Sequence, residues 1–302
     1  MRIFLTGGSG FIGRFLTFAL AERGHEITVL SRNLKKPSPF PPRVCVLEAD
    51  PTKAGSWQKI AADHDVIINL AGLSIFNRWT KKVKKEIFDS RILTTKNLVE
   101  ALLDRKQKET HLLSVSGVGY YGFQGDNFVD ENDGPGNDFL ARLASAWERA
   151  ALAAQTYGAR VVLCRIGIVL GRHGGALARL TPLFKCYLGA SLGNGKQWFS
   201  WIHEQDLINI FLFLLEHTEV KGPVNFTAPH PVSNRELTQT LSAVLHKPAL
   251  PFPVPGFLLR LTHGESADML LKGQRVLPQK LLSNGFLFKF PTLSVALQNL
   301  VG

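Results

Sequence analysis

The chain has 302 residues, of which 45% are hydrophobic and 20% charged, a balance typical of a globular protein with one or two hydrophobic cores. The apolar run at residues 207–215 has about half the length of a membrane-spanning helix, so we expect no contact with a membrane. The formal net charge is +11, but no nucleic-acid-binding motif accompanies the scattered basic residues. This pattern favours a small phosphate-bearing ligand over a nucleic acid.

Short apolar segments alternate with longer amphipathic segments through the first half of the chain. The predicted strands are residues 2–6, 26–31, 44–48, 66–70, 111–116 and 160–166. The predicted helices between them include residues 12–23, 79–103 and 139–157. Strands separated by helix-length segments indicate βαβ units. The predicted fold class is therefore α/β, a doubly wound parallel sheet of the Rossmann type.

The alternating pattern becomes less regular after Gly171. An apolar helix is predicted over residues 207–216, and the proline-rich residues 248–255 indicate a boundary because proline removes backbone donors. We expect a Rossmann domain over residues 1–170, to which some later segments return. Residues 171–302 are expected to form a smaller α/β lobe on the substrate side, with a last segment that begins near residue 248.

A glycine-rich turn, Gly-Gly-Ser-Gly-Phe-Ile-Gly at residues 7–13, directly joins the first strand to the first helix. Its first glycine permits a tight turn, its third lets the backbone approach a pyrophosphate, and its last lets the helix pack close to the strand. The helix then directs unpaired N–H groups at the phosphates. A glycine turn without a ligand is the alternative, but the strand–turn–helix context favours a dinucleotide. The predicted contacts are Gly7, Gly10, Phe11, Ile12 and Gly13.

The end of the second strand favours NADP over NAD. An NAD site normally offers a carboxylate to the ribose about 20 residues past the turn. This strand ends instead in Ser31 and Arg32, with Lys35 and Lys36 close behind. A guanidinium binds a 2′-phosphate through paired, charge-assisted hydrogen bonds, although Arg32 is also consistent with an ordinary surface arginine. We predict NADP as the cofactor, with Ser31 and Arg32 in its site.

The spacing of the turn resembles that of the extended short-chain dehydrogenase/reductase superfamily, the NAD-dependent epimerases and dehydratases. Ala49-Asp50 looks like the acidic position that meets the adenine amino group in that superfamily. Asn69-Leu70-Ala71-Gly72 looks like the strand-end motif that runs beside the cofactor, and residues 115–122 are similar to the segment that carries the catalytic serine. The resemblance adds Asp50, Leu70, Ala71 and Gly72 to the predicted cofactor site.

A closer resemblance is to the atypical branch known as epimerase family proteins, and it extends over nearly the whole chain. Its motifs are Arg78-Trp79, Ser90-Arg91, Gly-Tyr-Tyr-Gly at 119–122, Trp147-Glu148, Ser-Trp-Ile-His at 200–203 with Asp206, and Gly-Gln-Arg-Val-Leu-Pro at 273–278. The resemblance implies a nucleotide-binding, NADP-dependent protein of the oxidoreductase or epimerase type. It implies no particular physiological substrate.

The usual catalytic residues of short-chain enzymes are not all present. These enzymes use a tyrosine to exchange a proton with the substrate oxygen, a lysine four residues later to lower the pKa of that tyrosine, and an upstream serine. No Tyr-x-x-x-Lys occurs here, because the tyrosine position falls on Leu140 and the lysine position on Ala144. Ser116 lies one residue before the expected serine position, which is Gly117, and the supporting asparagine position holds Arg91.

Three hypotheses follow for the chemistry. In the first, Tyr120 or Tyr121 transfers the proton with help from Ser116, while Arg78 or Arg91 holds an anionic group of a polar or sugar-like substrate. In the second, the protein binds NADP(H) as a sensor or regulatory partner and catalyses nothing. In the third, the tyrosines are core residues. The candidate catalytic residues are Ser116 and Tyr121.

The remaining patterns favour ordinary structural roles. Cys45, Cys164 and Cys186 fit no zinc pattern, and their odd number suits a reducing compartment. The glycine cluster lies too close to Met1 for a secretory segment, so we expect a cytoplasmic protein. The histidines form no ligand-spaced group, so no metal is predicted, and His203 is expected to pack and fix a loop. A homodimer is left open.

Overall fold

A computed structural model describes residues 1–33, 40–104 and 109–302 of the chain. Lys35 and Lys36, which the sequence places beside Arg32, lie outside the described residues. The strands of the described part are β1 (Arg2–Thr6), β2 (Glu26–Ser31), β3 (Val44–Glu48), β4 (Val66–Asn69), β5 (His111–Gly117), β6 (Phe128–Val129), β7 (Arg160–Ile166), β8 (Ile168–Gly171), β9 (Gly174–Gly175), β10 (Trp198–Phe199), β11 (Trp201–His203), β12 (Gly222–Phe226), β13 (Val232–Ser233) and β14 (Arg275–Val276).

Seven of these strands form one parallel sheet in the order β3-β2-β1-β4-β5-β7-β12. The predicted fold class is confirmed, and each of the six predicted strands is present in the sheet. The edge strand β12 was not predicted, because it opens with Gly222 and Pro223, two residue types depleted in strands. The strand order reverses between β1 and β4, and α/β proteins bind their ligands in the crevice at such a switch point.

The central strands form because their sequences can be buried on both faces of the sheet. All four residues of β4 are buried, as are the last four residues of β1 and six of the seven residues of β7. Continuous apolar runs of this kind are typical of parallel sheets that are covered by helices on both sides.

The α-helices of the described part are α1 (Phe11–Glu22), α2 (Trp57–Ala62), α3 (Lys81–Ala101), α4 (Phe139–Leu152), α5 (Leu177–Lys185), α6 (Glu204–Glu216), α7 (Asn234–Leu245), α8 (Gly256–His263), α9 (Asp268–Leu271), α10 (Gln279–Ser283) and α11 (Leu293–Val301). Short 3₁₀ turns lie at Leu102–Asp104, Val118–Tyr121, Ala153–Tyr157 and Gly264–Ala267. None of the helices in the described residues is both long and apolar enough to cross a membrane.

Helices cover both faces of the sheet. On one face, Leu16 of α1 and Phe211 of α6 belong to the same buried apolar cluster as the inward side chains of the strands. On the other face, Trp57, Leu98 and Ala151 bring α2, α3 and α4 into a second cluster. The helix α6 and strand β12 follow residue 171 in the chain; α6 packs on one face of the central sheet, and β12 extends the sheet beside β7.

A third apolar cluster lies among residues 171–302, for which the sequence predicts a second lobe. It joins α5, α7 and α11 through residues that include Phe184, Leu241 and Leu297, with Trp201 of β11 among them. Strand β14 pairs in parallel with β6, which places the motif at residues 273–278 beside the segment that follows β5. The division into two lobes stays a prediction.

Candidate functional site

The glycine turn between β1 and α1 leaves no room for side chains. Gly7 has a φ of +72°, and a Cβ on it would lie 2.7 Å from the carbonyl carbon of Leu70. A Cβ on Gly13 would lie 2.3 Å from the carbonyl oxygen of Gly7, which is far inside van der Waals contact. The Gly10 N–H donates to the Gly7 carbonyl oxygen at 3.0 Å and closes the turn. The turn is therefore a compact cradle of backbone between β1 and the end of β4.

The first turn of α1 is prepared for an anion. Gly10 is the N-cap and supplies no side-chain cap, and the first turn carries no acidic residue. The first N–H groups of a helix have no intrahelical acceptor, and the helix dipole favours negative charge there. A pyrophosphate is the kind of group that such an end binds.

The side chains of Phe11 and Ile12 face protein, so the cradle can offer only their backbone N–H groups. Ile12 packs against the sheet cluster. The Phe11 ring fills the space over Gly171 and Gly174, where a Cβ would lie 2.4 Å and 2.2 Å from ring atoms. Phe11 thus ties the cradle to the β8–β9 hairpin.

The predicted ribose end of the site lies where β2 and β3 finish. The Ser31 hydroxyl donates to the carbonyl oxygen of Asn33 at 3.1 Å, and Arg32 is exposed. Arg32 makes no ion pair among the described residues, so its guanidinium is available to an anion. Asp50 accepts the backbone N–H and the hydroxyl of Thr52 at 3.0 Å and 2.7 Å.

The charge of Arg32 acts on Asp50. Partial burial pushes the pKa of Asp50 upward, but the Thr52 hydrogen bonds and the charges of Lys53 and Arg32 hold that pKa below its usual value. Asp50 and Arg32 therefore lie near each other, as the predicted adenosine end of the cofactor site requires.

A buried polar network fixes the end of β4. The Asn69 side chain accepts from the Thr6 hydroxyl at 2.8 Å and donates to the Thr95 hydroxyl at 2.8 Å. The Thr95 oxygen also accepts the Trp147 indole N–H at 2.9 Å and donates to the Arg91 carbonyl oxygen. This network holds β1, β4, α3 and α4 in one arrangement beneath the loop that continues into Leu70, Ala71 and Gly72.

Ser90 and Arg91 of α3 hold Leu73, the next residue of that loop, by its N–H and its carbonyl oxygen. The Leu73 N–H donates to the Ser90 hydroxyl at 3.0 Å, and Arg91 Nη1 donates to the Leu73 carbonyl oxygen at 2.9 Å. A Cβ on Gly72 would lie 2.9 Å from Arg91 Cζ, so a larger residue there would displace the guanidinium. Burial lowers the pKa of Arg91 to about 10. The motif Ser90-Arg91 therefore acts as a clamp on the loop beside the glycine cradle.

Ser116 does not point into an open cleft. It is 4% exposed, and its hydroxyl has no hydrogen-bond partner among the described residues. Ser116 lies beside Arg165 in the sheet register, and Asn225 follows on the next strand, so the three side chains share one face. At the expected serine position, a Cβ on Gly117 would have its nearest neighbour at 3.7 Å, an ordinary contact. The position that could carry an accessible serine is therefore a glycine.

Tyr121 is enclosed in the core with 0% exposure. Its hydroxyl donates to Asn225 Oδ1 at 2.7 Å and accepts from Arg165 Nη1 at 2.9 Å. Arg165 makes a bidentate pair with Glu148, with both N–O distances 2.9 Å. Burial raises the pKa of Tyr121 well above its usual range despite the nearby Arg165 charge. This geometry weighs against the prediction that Tyr121 exchanges a proton with a substrate, because the hydroxyl is enclosed and both of its roles are taken.

The positions of the missing acid/base pair are filled by packing. Leu140 lies against Gly119, where a Cβ would be 3.1 Å from Leu140 Cβ, and Ala144 is buried. Tyr120 is half-buried, and the Arg165 guanidinium lies 3.5 Å above its ring. The start of α4 therefore closes over the Gly-Tyr-Tyr-Gly segment with apolar contacts.

Sequence reasoning missed the buried charged network beneath this region. Glu131 accepts the Asn225 N–H at 2.9 Å and the Lys280 N–H at 3.2 Å, and burial raises its pKa. The signal was available in part, since Arg165 is a charged residue inside the apolar strand Val-Val-Leu-Cys-Arg-Ile and requires a buried partner. Its partner Glu148, seventeen residues away on a helix, could not be identified without the fold.

The structure also places His203 and Arg78. His203 caps α6, because its ring accepts the Gln205 N–H at 3.0 Å. The ring also stacks on that of Phe290 at a centroid distance of 3.7 Å, and burial lowers the pKa of His203 to about 4. This is the loop-fixing role expected for it. Arg78 is exposed, and its Nε would lie 3.6 Å from a Cβ on Gly264.

Comparison with known proteins agrees with this geometry. The sequence profile of the NAD dependent epimerase/dehydratase family matches residues 3–226, and that of a domain of unknown function, DUF1731, matches residues 254–300. The chain is 40% identical over 305 residues to "Epimerase family protein SDR39U1 homolog, chloroplastic" of Arabidopsis thaliana, covering 99% of this chain and 86% of that protein. It is 36% identical over 303 residues to "Epimerase family protein YfhF" of Bacillus subtilis, covering 100% and 98%.

A solved structure extends the likeness to the whole fold. The crystal structure of human epimerase family protein SDR39U1 (isoform 2) with NADPH superposes with a TM-score of 0.86 at 35% identity, covering 99% of both chains. The family resemblance that the motifs indicate is thereby confirmed. The chain belongs to the NAD-dependent epimerase/dehydratase family.

Proposed function

We propose that the protein binds NADP(H) in the crevice between β1 and β4 and acts on a polar or sugar-like small molecule. The observation that carries the proposal is the cradle of Gly7, Gly10 and Gly13, which leaves the N–H groups of α1 free where no side chain fits. Arg32, which directly follows β2, is exposed and makes no ion pair with a described residue, and this supports the 2′-phosphate form of the cofactor. The NADPH in the human relative's structure is a second support.

Backbone N–H groups, one arginine and one loop of this chain would bind the dinucleotide. The N–H groups at the start of α1 would hold the pyrophosphate, Arg32 the 2′-phosphate, and the loop from Leu70 to Gly72 would form the wall of the crevice. When bound, the nicotinamide supplies or accepts a hydride. Neither Ser116 nor Tyr121 offers an accessible hydroxyl, so a proton would come from the half-buried Tyr120 or from water.

The packed region between β5 and the start of α4 supports a second candidate function. Leu140, Ala144 and Gly117 stand where short-chain enzymes place their acid/base residues, and the Tyr121 hydroxyl is engaged in the core. A protein that binds NADP(H) to sense it, or to regulate a partner, needs the cradle but not these residues. The absence of an accessible proton donor at these positions favours this alternative, whereas the clamped loop and the predicted second lobe favour a substrate.

The experiment is a fluorescence titration with NADPH and NADH at matched salt, followed by a substrate screen. We expect NADPH to bind at least tenfold more tightly than NADH, since a charge-assisted pair contributes on the order of 1.5 kcal/mol or more. Consumption of bound NADPH by a panel of nucleotide sugars and polar carbonyl compounds would identify the protein as an enzyme. Tight binding without consumption would support the regulatory function, and no binding of either nucleotide would overturn the proposal.

A further inference from the structure

The enclosed arginines of the described residues differ in how their charge is compensated: Arg165 is buried, and Arg91 and Arg160 are half-buried. Arg165 is neutralised by the bidentate pair with Glu148. Arg160 donates to the carbonyl oxygens of Leu214, His217 and Val220, which lie at and just beyond the end of α6, where the helix dipole is negative. Arg91 differs from both, because no carboxylate of the described residues lies within 4.0 Å of it. The half-buried Arg275 has no such carboxylate either, but its guanidinium lies over the Phe128 and Trp198 rings and not at the loop of the glycine cradle.

Only part of the Arg91 guanidinium is used by the protein. Nη1 donates to the carbonyl oxygens of Leu73 and Ile87, at 2.9 Å and 3.2 Å. Nε and Nη2 make no hydrogen bond to a described residue, and they lie about 3 Å from the space that a Cβ on Gly72 would fill. The flat guanidinium is also held against the Trp147 ring at 5.1 Å. The charge is therefore fixed in place while some of its donors are free.

This fixed charge lies at the wall of the cofactor crevice. The loop beneath it begins at Leu70, whose peptide with Ala71 is in contact with the Gly7 position of the glycine cradle. The reversal of strand order places the crevice above β1 and β4, and Gly72 lies two residues beyond that contact. A ligand seated on the cradle is therefore in the electrostatic field of Arg91.

We propose that Arg91 makes this site prefer the reduced cofactor, NADPH, over NADP⁺. The inference rests on the proposed function, because it requires the crevice to hold the dinucleotide. The two forms carry the same phosphates and differ by one positive charge, which the oxidised nicotinamide ring carries. An uncompensated cation in the wall of the crevice therefore repels one form more than the other, whereas the neutralised Arg165 does not.

The expected size of the preference follows from Coulomb's law. If the nicotinamide ring lies about 10 Å from the Arg91 guanidinium, an effective dielectric constant of about 20 gives roughly a tenfold difference in affinity. The effect of a charge in the crevice wall changes little with salt, whereas that of an exposed charge is screened. The hydrogen bond from Arg91 to the Leu73 carbonyl oxygen does not contribute to the preference for NADPH, because it holds the loop in the same way whether NADPH or NADP⁺ is bound.

The test measures dissociation constants for NADPH and NADP⁺ by fluorescence and calorimetry in wild type and variants. We expect wild type to bind NADPH about tenfold more tightly, with a ratio that is unchanged between low and high salt. Arg91→Gln and Arg91→Met should reduce the ratio to near one, whereas Arg91→Lys should keep most of it. Arg149→Gln, which removes a charge from the exposed face of α4, is the matched control and should leave the ratio unchanged.

The possible failures can be told apart. If wild type binds both nucleotides equally, or if Arg91→Gln weakens both by the same factor, then Arg91 is only a clamp and this inference is wrong. If wild type binds neither nucleotide, the proposed function itself fails. A wild-type ratio near one overturns the inference even where a variant does not fold, and Arg91→Lys keeps the charge where Arg91→Gln and Arg91→Met remove it.

Discussion

The crevice has two sides, an open edge at β1 and α1 and a closed edge at β5 and α4, and these two sides are built in different ways. At β1 and α1 the site consists of backbone, with Gly7 and Gly13 pressed against neighbouring peptides and helix N–H groups left open. At β5 and α4, side chains fill the corresponding space, and the hydroxyl of Tyr121 is enclosed between Arg165 and Asn225. The groups proposed to bind the cofactor are therefore independent of the positions where short-chain enzymes place their proton donor. The first edge is open to a ligand, whereas the second is closed by packing.

The strongest test of the closed edge is Glu148→Gln, which leaves the charge of Arg165 buried without a counterion. Breaking a buried pair from one side costs about 3–5 kcal/mol, so we expect a loss of that size in the free energy of unfolding, measured with urea. The matched control is Glu86→Gln, which removes the exposed partner of Lys82 and should change stability by less than about 0.5 kcal/mol. Equal effects of the two variants would show that the network does not hold this edge.

The open edge is tested by Gly13→Ala. A Cβ there would lie 2.3 Å from the Gly7 carbonyl oxygen, so the cradle must shift. Overpacking of this kind costs about 1–3 kcal/mol, and we expect NADPH and NADH to bind about ten- to hundredfold more weakly. Gly134→Ala is the control, because no described atom lies within 4 Å of its Cβ position. Unchanged affinity in Gly13→Ala would place the cofactor elsewhere.

The choice of cofactor at the open edge is tested by Arg32→Ala. Loss of a charge-assisted contact should weaken NADPH binding about tenfold and leave NADH binding unchanged, as measured by the same titration. Arg43→Ala removes another exposed arginine, near β3, and should change neither affinity. Equal losses for both nucleotides in Arg32→Ala would contradict the 2′-phosphate assignment.

The smallest expected effect on the cofactor comes from Tyr121→Phe. The hydroxyl bonds to Asn225 and Arg165 would be lost and would leave two buried polar groups without this partner, so the expected cost is about 1–3 kcal/mol in thermal or urea unfolding, with no change in NADPH affinity. Tyr120→Phe is the control, because the Tyr120 hydroxyl makes no hydrogen bond among the described residues. If an active preparation lost turnover in Tyr121→Phe without losing stability, the hydroxyl would be a proton donor after all.

Some features of this protein depend on neighbouring residues in the chain, and others depend on long-range contacts. The parallel sheet, the glycine turn and the missing Tyr-x-x-x-Lys pair were all evident from residue types and their spacing, because backbone turns and strand periodicity depend on neighbours in the chain. Strand β12 was not evident, because Gly222 and Pro223 are residue types of turns and its pairing with β7 is a long-range contact.

The residue pattern alone shows the fold class, the position of the glycine cradle and the departure from the usual catalytic residues. Only the three-dimensional structure shows that Tyr121 and Ser116 are buried, that Arg165 is paired with Glu148, and that Arg91 holds the loop at Gly72 with no carboxylate of the described residues within 4.0 Å. The physical reason is that burial and charge compensation depend on which distant segments meet in space. The neighbours of a residue in the chain indicate its secondary structure and motif, whereas its contacts with distant segments determine whether its polar groups are free to bind a ligand.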